Sequence, residues 1–165
     1  MSPNITIIGM ADSFKKEVSR TLANKLDKMF VDINEMLIYN FVDGSMLDNL
    51  GQKYFDESEK KVVSSLLDCD NIVINSNIST INKEENLSLF KEKSVIVYLR
   101  LTLEQFKTIN KIENCGEIVT INEKMFNERD RHLQTICDIC VETDELSANK
   151  CVENLMLGLK YYFKK

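Results

Sequence analysis

The sequence predicts an α/β protein with a mainly parallel central sheet. Short apolar segments that suit buried strands alternate along the chain with longer segments whose apolar residues recur at helical spacing. The alternation runs from end to end without an internal repeat or a low-complexity linker. Because the chain has 165 residues, of which 44% are hydrophobic and 28% charged, we expect one domain, residues 1–165, with a substantial core.

Five predicted strands carry this sheet, and predicted helices connect them. The strands are the apolar runs at residues 5–8, 29–31, 71–75, 94–99 and 138–141. The helices are one that carries Val18, Leu22 and Leu26 on one face, and others at residues 35–41, 56–67, 83–92, from 103, and 122–132. Residues 113–121 are ambiguous. A final helix has an apolar stripe that ends at Phe163, and Ser147 is placed to cap it.

Charge and hydropathy exclude several classes of protein. The formal net charge is -5, and the 21 basic and 26 acidic residues are mixed along the chain, so no basic stripe for nucleic acid is present. No apolar run is long enough for a membrane span, and the start of the sequence lacks the pattern of a signal peptide. We therefore expect a cytoplasmic protein that binds neither nucleic acid nor membrane.

The five cysteines predict reduced thiols rather than a disulfide framework, because their number is odd and they are scattered: Cys69, Cys115, Cys137, Cys140 and Cys151. Two of them form a C-x-x-C within a segment that reads as a strand. Residues three apart on a strand point to opposite faces, so we expect these two side chains to lie apart, as small apolar groups in or near the core.

A segment that resembles a phosphate-binding loop follows the first strand. Walker A loops read G-x-x-x-x-G-K-[ST] between a strand and a helix, and residues 9–16 have this layout. Gly9 and Lys15 match the motif, whereas Phe14 replaces the second glycine and Lys16 replaces the hydroxyl residue. The candidate nucleotide-binding residues are therefore Gly9, Lys15 and Lys16, with Lys15 also a catalytic candidate. An ordinary solvated lysine at a helix start is the competing interpretation of Lys15.

The two replacements act directly on phosphate and metal binding. Backbone N–H groups must converge on the phosphates, which needs flexible residues without a Cβ in the way, and Phe14 is neither. The motif's hydroxyl is a magnesium ligand, whereas the ammonium of Lys16 repels a cation. The sequence thus predicts a loop that has lost phosphate and metal ligands.

Further segments follow this loop in order. Residues 30–38 read FVDINEMLI, residues 51–59 read GQKYFDESE, residues 95–99 read VIVYL and residues 128–133 read ERDRHL. With the loop, they resemble the shikimate kinase family, whose motifs at these places are F-[IV]-D-x-D-x-x-[IL], G-E-x-x-F-R-x-x-E, V-V-Y-L and E-R-x-P-L-Y. The resemblance covers nearly the whole chain. It implies a three-layer α/β/α P-loop kinase fold with a five-stranded sheet, and ATP-dependent phosphorylation of shikimate with magnesium.

The resemblance also assigns roles to positions in a substrate-binding region of about residues 32–60. Asp32 matches an Asp that organises magnesium and faces substrate, and Asn34 matches the Asp that contacts shikimate and can act as base, which an amide cannot do. Asp56 matches the Arg that holds the shikimate carboxylate. Arg129 matches a substrate-binding Arg. In the lid-like region, about residues 108–130, the family's arginine has no counterpart before Arg129.

Three interpretations remain open at this level. In the first, the chain is a catalytically impaired member of the family that serves as a binding or regulatory module, with no cofactor and an unknown protein partner. In the second, it is an active but divergent shikimate kinase that uses ATP and magnesium. In the third, it is a kinase for another small molecule, since Asp56 in place of an arginine suits a neutral or cationic acceptor.

Overall fold

The computed structural model describes residues 3–40, 44–110, 116–143 and 147–164. At residues 40, 44–50, 110 and 116–122 it describes the backbone alone. Strands β1 to β5 span Asn4–Gly9, Met29–Asp32, Ile72–Asn75, Ser94–Arg100 and Ile139–Glu142. Helices α1 to α8 span Asp12–Leu26, Ile33–Asn40, Gly44–Leu67, Ile78–Ile81, Glu84–Lys93, Leu103–Asn110, Gly116–Ile136 and Ala148–Tyr162.

The five strands form one sheet in the order β2-β3-β1-β4-β5, and every neighbouring pair is parallel. Parallel strands need crossover connections, and helices supply them here. The α/β fold class with a parallel five-stranded sheet is confirmed, and each predicted strand lies within about two residues of its predicted bounds. Within the described residues, no helix combines the length and apolarity needed to cross a bilayer.

Alternation along β4 shows how the sheet separates two cores. Val95, Val97 and Leu99 pack with α1 and α8 on one face, whereas Ile96 and Tyr98 pack with α3, α5 and α7 on the other. Because successive side chains of a strand point to opposite faces, a wholly apolar strand can serve two helical layers. This arrangement is the three-layer α/β/α architecture.

Several helix bounds differ from the sequence prediction. Helix α1 begins at Asp12, inside the predicted loop of residues 9–16. Helix α3 starts at Gly44 and is kinked at Gly51, where φ is 75°. The one-turn helix α4 was not predicted, and Asn77 caps it. Ser147 does precede α8, but its side chain makes no capping hydrogen bond, and Phe163 is 50% exposed rather than part of the core.

The prediction for the C-x-x-C pair is wrong about the orientation of the two side chains. Strand β5 begins at Ile139, so Cys137 lies before it, between the end of α7 and the strand. The chain bends there, and both side chains lie on one face of the sheet, since Cys137 packs against the core that contains Tyr98 and Cys140 lies beside Tyr98 in the register. Cys140 is exposed, whereas Cys137 is half-buried and packs against the core, so the expected place in or near the core is confirmed for Cys137 alone. Cys115 lies outside the described residues.

Gly9 at the end of β1 is predicted to be a packing requirement. A Cβ at this position would lie 3.1 Å from the Leu99 carbonyl oxygen and 3.7 Å from the Lys15 side chain. The carbonyl belongs to a central strand and cannot withdraw easily, so Gly9→Ala should lower the free energy of unfolding by about 1–3 kcal/mol in urea titrations. Gly158→Ala is the control, since its Cβ would meet only a methyl group of Ile139 at 3.3 Å. Equal stability of the two variants would contradict this account of Gly9.

Candidate functional site

The connection between β1 and α1 is shorter than a phosphate-binding loop. Strand β1 ends at Gly9 and α1 begins at Asp12, which leaves Met10 and Ala11 between them. The backbone N–H of Lys15 donates to the Ala11 carbonyl at 3.0 Å, as in the first turn of a helix. Residues 12–16 are therefore helical, and the predicted loop is confined to two residues.

Lys15 is buried rather than solvated, so the competing interpretation of this residue is wrong. Its side chain is 2% exposed, and its ammonium donates to the Ser76 carbonyl oxygen at 2.6 Å. The same ammonium pairs with the Asp12 carboxylate at 2.8 Å. Burial lowers the pKa of Lys15, and the hydrogen bond and charge of Asp12 oppose that shift. The lysine thus joins the first turn of α1 to the end of β3.

Lys16 points to two carboxylates, Asp32 at the end of β2 and Glu35 in the first turn of α2. Its Nζ atom lies 2.5 Å from Glu35 Oε1 and 3.3 Å from Asp32 Oδ2. The hydrogen bond to Glu35 raises the pKa of Lys16, so the side chain is an ammonium at neutral pH. The position that holds a magnesium-binding hydroxyl in the motif therefore carries a cation that is already paired with carboxylates.

Asp32 is buried and fully engaged. Its Oδ1 accepts backbone N–H groups of Asn34 at 2.9 Å and Glu35 at 3.2 Å, which caps the start of α2. Its Oδ2 accepts from the Asn75 amide at 2.9 Å. Burial would raise the pKa of Asp32, but the hydrogen bonds from Asn75, from the Glu35 backbone and from Lys16 together lower it. The carboxylate is ionised and satisfied by the protein itself.

The amides beside this carboxylate form a second group. The Asn77 side chain donates to Asn34 Oδ1, and its own Oδ1 accepts the Thr80 backbone N–H at 2.6 Å to cap α4. Asn34 is therefore fixed in orientation. Asn75 Oδ1 is a buried acceptor without a hydrogen-bond partner among the described residues. A water or a ligand with a donor group would satisfy it.

Asp56 belongs to an ion-pair cluster between α3 and α5. Lys83 donates to Asp56 Oδ1 at 2.6 Å and also to Glu59, whose side chain is 2% exposed. Glu59 accepts the Thr80 hydroxyl at 2.7 Å as well. Burial lowers the pKa of Lys83, yet hydrogen bonds to Asp56 and Glu59 raise it overall. Asp56 thus has an internal cationic partner.

The structure brings most of the predicted site residues to one edge of the sheet. Gly9, Asp32 and Asn75 end β1, β2 and β3, and carboxyl ends of parallel strands are where α/β folds bind ligands. Lys15 and Lys16 reach this edge from α1. Arg129 is exposed on α7, and residues 111–115 of the lid-like region lie outside the described residues.

Sequence reasoning missed Lys83 as a site residue. The resemblance pointed to residues 51–59, whereas Lys83 comes after β3 in the sequence. Its contacts with Asp56 and Glu59 form only in the folded protein. Among the described residues, no cluster of three or more His, Cys, Asp or Glu side chains could hold a metal ion. The site is rich in lysine and amide groups instead.

Comparison with known proteins gives one consistent family. The sequence model of shikimate kinase matches residues 13–160. The shikimate kinase of Caldicellulosiruptor saccharolyticus is 27% identical over 163 residues, which cover 93% of this chain and 93% of that protein. Shikimate kinase 1 of Escherichia coli is 25% identical over 165 residues, which cover 94% of this chain and 95% of that protein.

Solved structures agree on the fold. The shikimate kinase of Aquifex aeolicus superposes with a TM-score of 0.76 at 24% identity, covering 96% of each chain. The enzyme of Acinetobacter baumannii, solved in complex with shikimate, gives 0.77 at 18% identity and covers 96% of this chain and 93% of that one. The fold is therefore that of the P-loop kinases. This chain belongs to the shikimate kinase family.

Lys83 is expected to stabilise the cluster in which it lies. Lys83→Met would leave the buried Glu59 carboxylate without its cation, and we expect a loss of about 2 kcal/mol in the free energy of unfolding. The loss stays below that of a fully buried pair because Lys83 is 34% exposed. Lys60→Met, which removes an exposed pair with Glu85, is the control and should have an effect below about 1 kcal/mol. A loss no larger than that of the control would contradict the assignment.

The Asp32 carboxylate predicts a pH-dependent stability. Its pKa in the folded protein is below its ordinary value of 3.8, so ionised Asp32 stabilises the fold above that pH, and the contribution is lost as pH falls towards the folded pKa. Asp32→Asn should lower the free energy of unfolding at pH 7 by about 1–2 kcal/mol, and less at pH 3. Urea titrations at several pH values measure this, with the exposed Glu35→Gln as control. A pH-independent difference would refute the linkage.

Proposed function

We propose that this member of the shikimate kinase family does not phosphorylate shikimate at an ordinary rate and acts as a binding or regulatory module. One observation carries the proposal. The ammonium of Lys15, which should meet the phosphates of a nucleotide, is buried and bound to Asp12 and Ser76. Two of its three N–H groups are already used, and a phosphate that approached it would meet the Asp12 carboxylate.

The start of α1 is a poor anion site. A helix N-terminus favours phosphate because its first N–H groups are free and its dipole is positive there. In this chain the Asp12 carboxylate lies in the first turn and already uses that favourable field. A triphosphate would meet this negative charge, and the position of the motif's second glycine is taken by Phe14, whose side chain is packed in the core.

The residues around Asp32 do not fit a magnesium ion. Magnesium takes oxygen ligands in octahedral geometry, and it would have to share Asp32 and Glu35 with the ammonium of Lys16. Two cations at one pair of carboxylates repel each other at short range. We therefore expect the protein to work without bound magnesium.

The acceptor region supports the same conclusion. Asn34 occupies the position at which the family has a proton acceptor, and an amide cannot take up that proton. Its side-chain oxygen already accepts a hydrogen bond from Asn77. A carboxylic acid such as shikimate would meet the exposed carboxylate of Asp56 rather than an arginine. Loss of one preorganised electrostatic contact costs about 3 kcal/mol, roughly a hundredfold in rate or more, and several such contacts differ here.

A binding role is supported by what remains at the site. Asn75 Oδ1 is buried and without a described hydrogen-bond partner, and such an orphaned acceptor costs about 1–3 kcal/mol until a donor arrives. The amides of Asn34 and Asn77 lie beside it in a fixed orientation. A small molecule with hydroxyl or amino donors suits this group better than a nucleotide.

A kinase with another acceptor is the second candidate. The observation that favours it is Asp56, whose side chain is 44% exposed and can bind a cationic or neutral hydroxylated molecule. This function still requires a nucleotide, so nucleotide binding separates the two proposals.

The proposal predicts no turnover and no nucleotide affinity. In a coupled assay with MgATP and shikimate, this protein should stay at background, while Escherichia coli shikimate kinase 1 turns over in parallel as the positive control. Calorimetry with MgATP and ADP, each with and without shikimate, should show no nucleotide binding, because Lys15 and Lys16 are both engaged. Turnover of shikimate would refute the proposal. Nucleotide binding without shikimate turnover would favour the second candidate.

A further inference from the structure

The C-x-x-C pair forms a thiol site near the amino ends of the strands, at the opposite end of the sheet from the candidate binding edge. Cys137 and Cys140 lie near the amino end of β5, whereas the candidate site lies at the carboxyl ends of β1 to β3. Cys137 packs against the core formed with α3, α5 and α7, and Cys140 lies beside Tyr98 of that core in the β4–β5 register, so both side chains are on one face of the sheet. The Cys137 thiol can donate to the Gln134 carbonyl oxygen, at 3.6 Å, or to the Cys140 sulfur. The two sulfur atoms are therefore neighbours in the folded protein.

The bend between the two cysteines is held by β4. The backbone N–H of Asp138 donates to the Ile96 carbonyl at 2.8 Å, and the Ile96 N–H donates to Asp138 Oδ2 at 2.8 Å. Before the bend, the backbone N–H of Cys137 donates to the Leu133 carbonyl oxygen at 3.2 Å and so extends the hydrogen bonding of α7. Both cysteines are thus attached to fixed elements, and the pair is preformed rather than brought together by a moving loop.

The two thiols have different environments. Cys140 is exposed on the edge strand, opposite Tyr98 in the β4–β5 register, whereas Cys137 is half-buried. The hydrogen bond from Cys137 and the nearby charge of Arg100 lower the pKa of Cys140, against burial and the opposing charges of Glu142 and Asp130. The same hydrogen bond, with burial, raises the pKa of Cys137.

We propose that Cys137 and Cys140 form a peroxide-reactive dithiol that closes reversibly to an intramolecular disulfide. Cys140 is the attacking thiol because it is exposed and its thiolate is stabilised, and Cys137 is the resolving thiol because it is its direct neighbour. The proposal is independent of kinase activity.

The reaction balances with one hydroperoxide. The Cys140 thiolate attacks an oxygen of hydrogen peroxide, the O–O bond breaks, and the departing hydroxide takes up a proton to give water and a sulfenic acid. The Cys137 sulfur then attacks the Cys140 sulfur, the S–O bond breaks, and the hydroxide leaves with the Cys137 proton as a second water. Two thiols are oxidised and one peroxide is reduced to two waters. A dithiol reductant reverses the disulfide by thiol exchange.

The direct test is peroxide titration of the full chain followed by peptide mapping under denaturing, thiol-blocking conditions. The wild-type protein should lose two thiols and two hydrogen atoms of mass, with the cross-link between residues 137 and 140, and dithiothreitol should restore both. Cys137→Ser should stop at a sulfenic acid on Cys140 that dimedone traps, and Cys140→Ser should resist the same peroxide dose. Cys69→Ser, which alters an exposed cysteine outside the pair, is the control and should still form the disulfide.

Alkylation rates test the assignment of roles without a disulfide. At pH 7, iodoacetamide should label Cys140 at least roughly tenfold faster than Cys151, because thiolate fraction falls tenfold with each unit of pKa and burial raises the pKa of Cys151 to about 11. Cys137→Ala should slow Cys140 labelling, since it removes the neighbouring donor that lowers the pKa of Cys140. Cross-linking mapped to Cys69, absence of a disulfide in the wild type, or faster reaction at Cys137 would each overturn the proposal.

Discussion

The buried ammonium of Lys15 is the constraint on which the candidate site depends. It lies between the Asp12 carboxylate and the Ser76 carbonyl, and so it ties the first turn of α1 to the end of β3. A lysine that loses its hydration must find such partners, since an unpaired buried charge is strongly unfavourable. With these partners in place, α1 can begin at Asp12, and the space of a phosphate-binding loop is taken up by helix.

Two further lysines near this edge of the sheet are also paired with carboxylates. Lys16 is neutralised by Asp32 and Glu35, and Lys83 is neutralised by Asp56 and Glu59. These two cations, like Lys15, are already paired within the protein. Removing one partner of such a pair leaves an uncompensated charge, so these pairs stabilise the fold.

The sequence predicted the fold well because strands and helices can be recognised from short stretches of neighbouring residues. Apolar runs such as residues 94–99 define strands by composition, and helical spacing defines most helices, so the parallel α/β sheet could be predicted without contacts. The start of α1 could not, because Phe14 and Lys15 suit a loop or a helix equally well until the burial of Lys15 decides. The C-x-x-C prediction failed for a related reason, since a bend of two residues before β5 reversed the expected orientation of the cysteines.

The sequence by itself determined the order of the strands along the chain and their alternation with helices. It also showed the unusual residues at motif positions: Phe14, Lys16, Asn34 and Asp56. Only the tertiary structure decided what those residues contact. Lys15 and Ser76 are 61 positions apart, and Asp56 and Lys83 are 27 apart, so their pairing depends on how β3 is placed between β1 and β2. Periodicity is a property of neighbouring residues, whereas the pairing of a buried charge is a property of the assembled sheet and its helices.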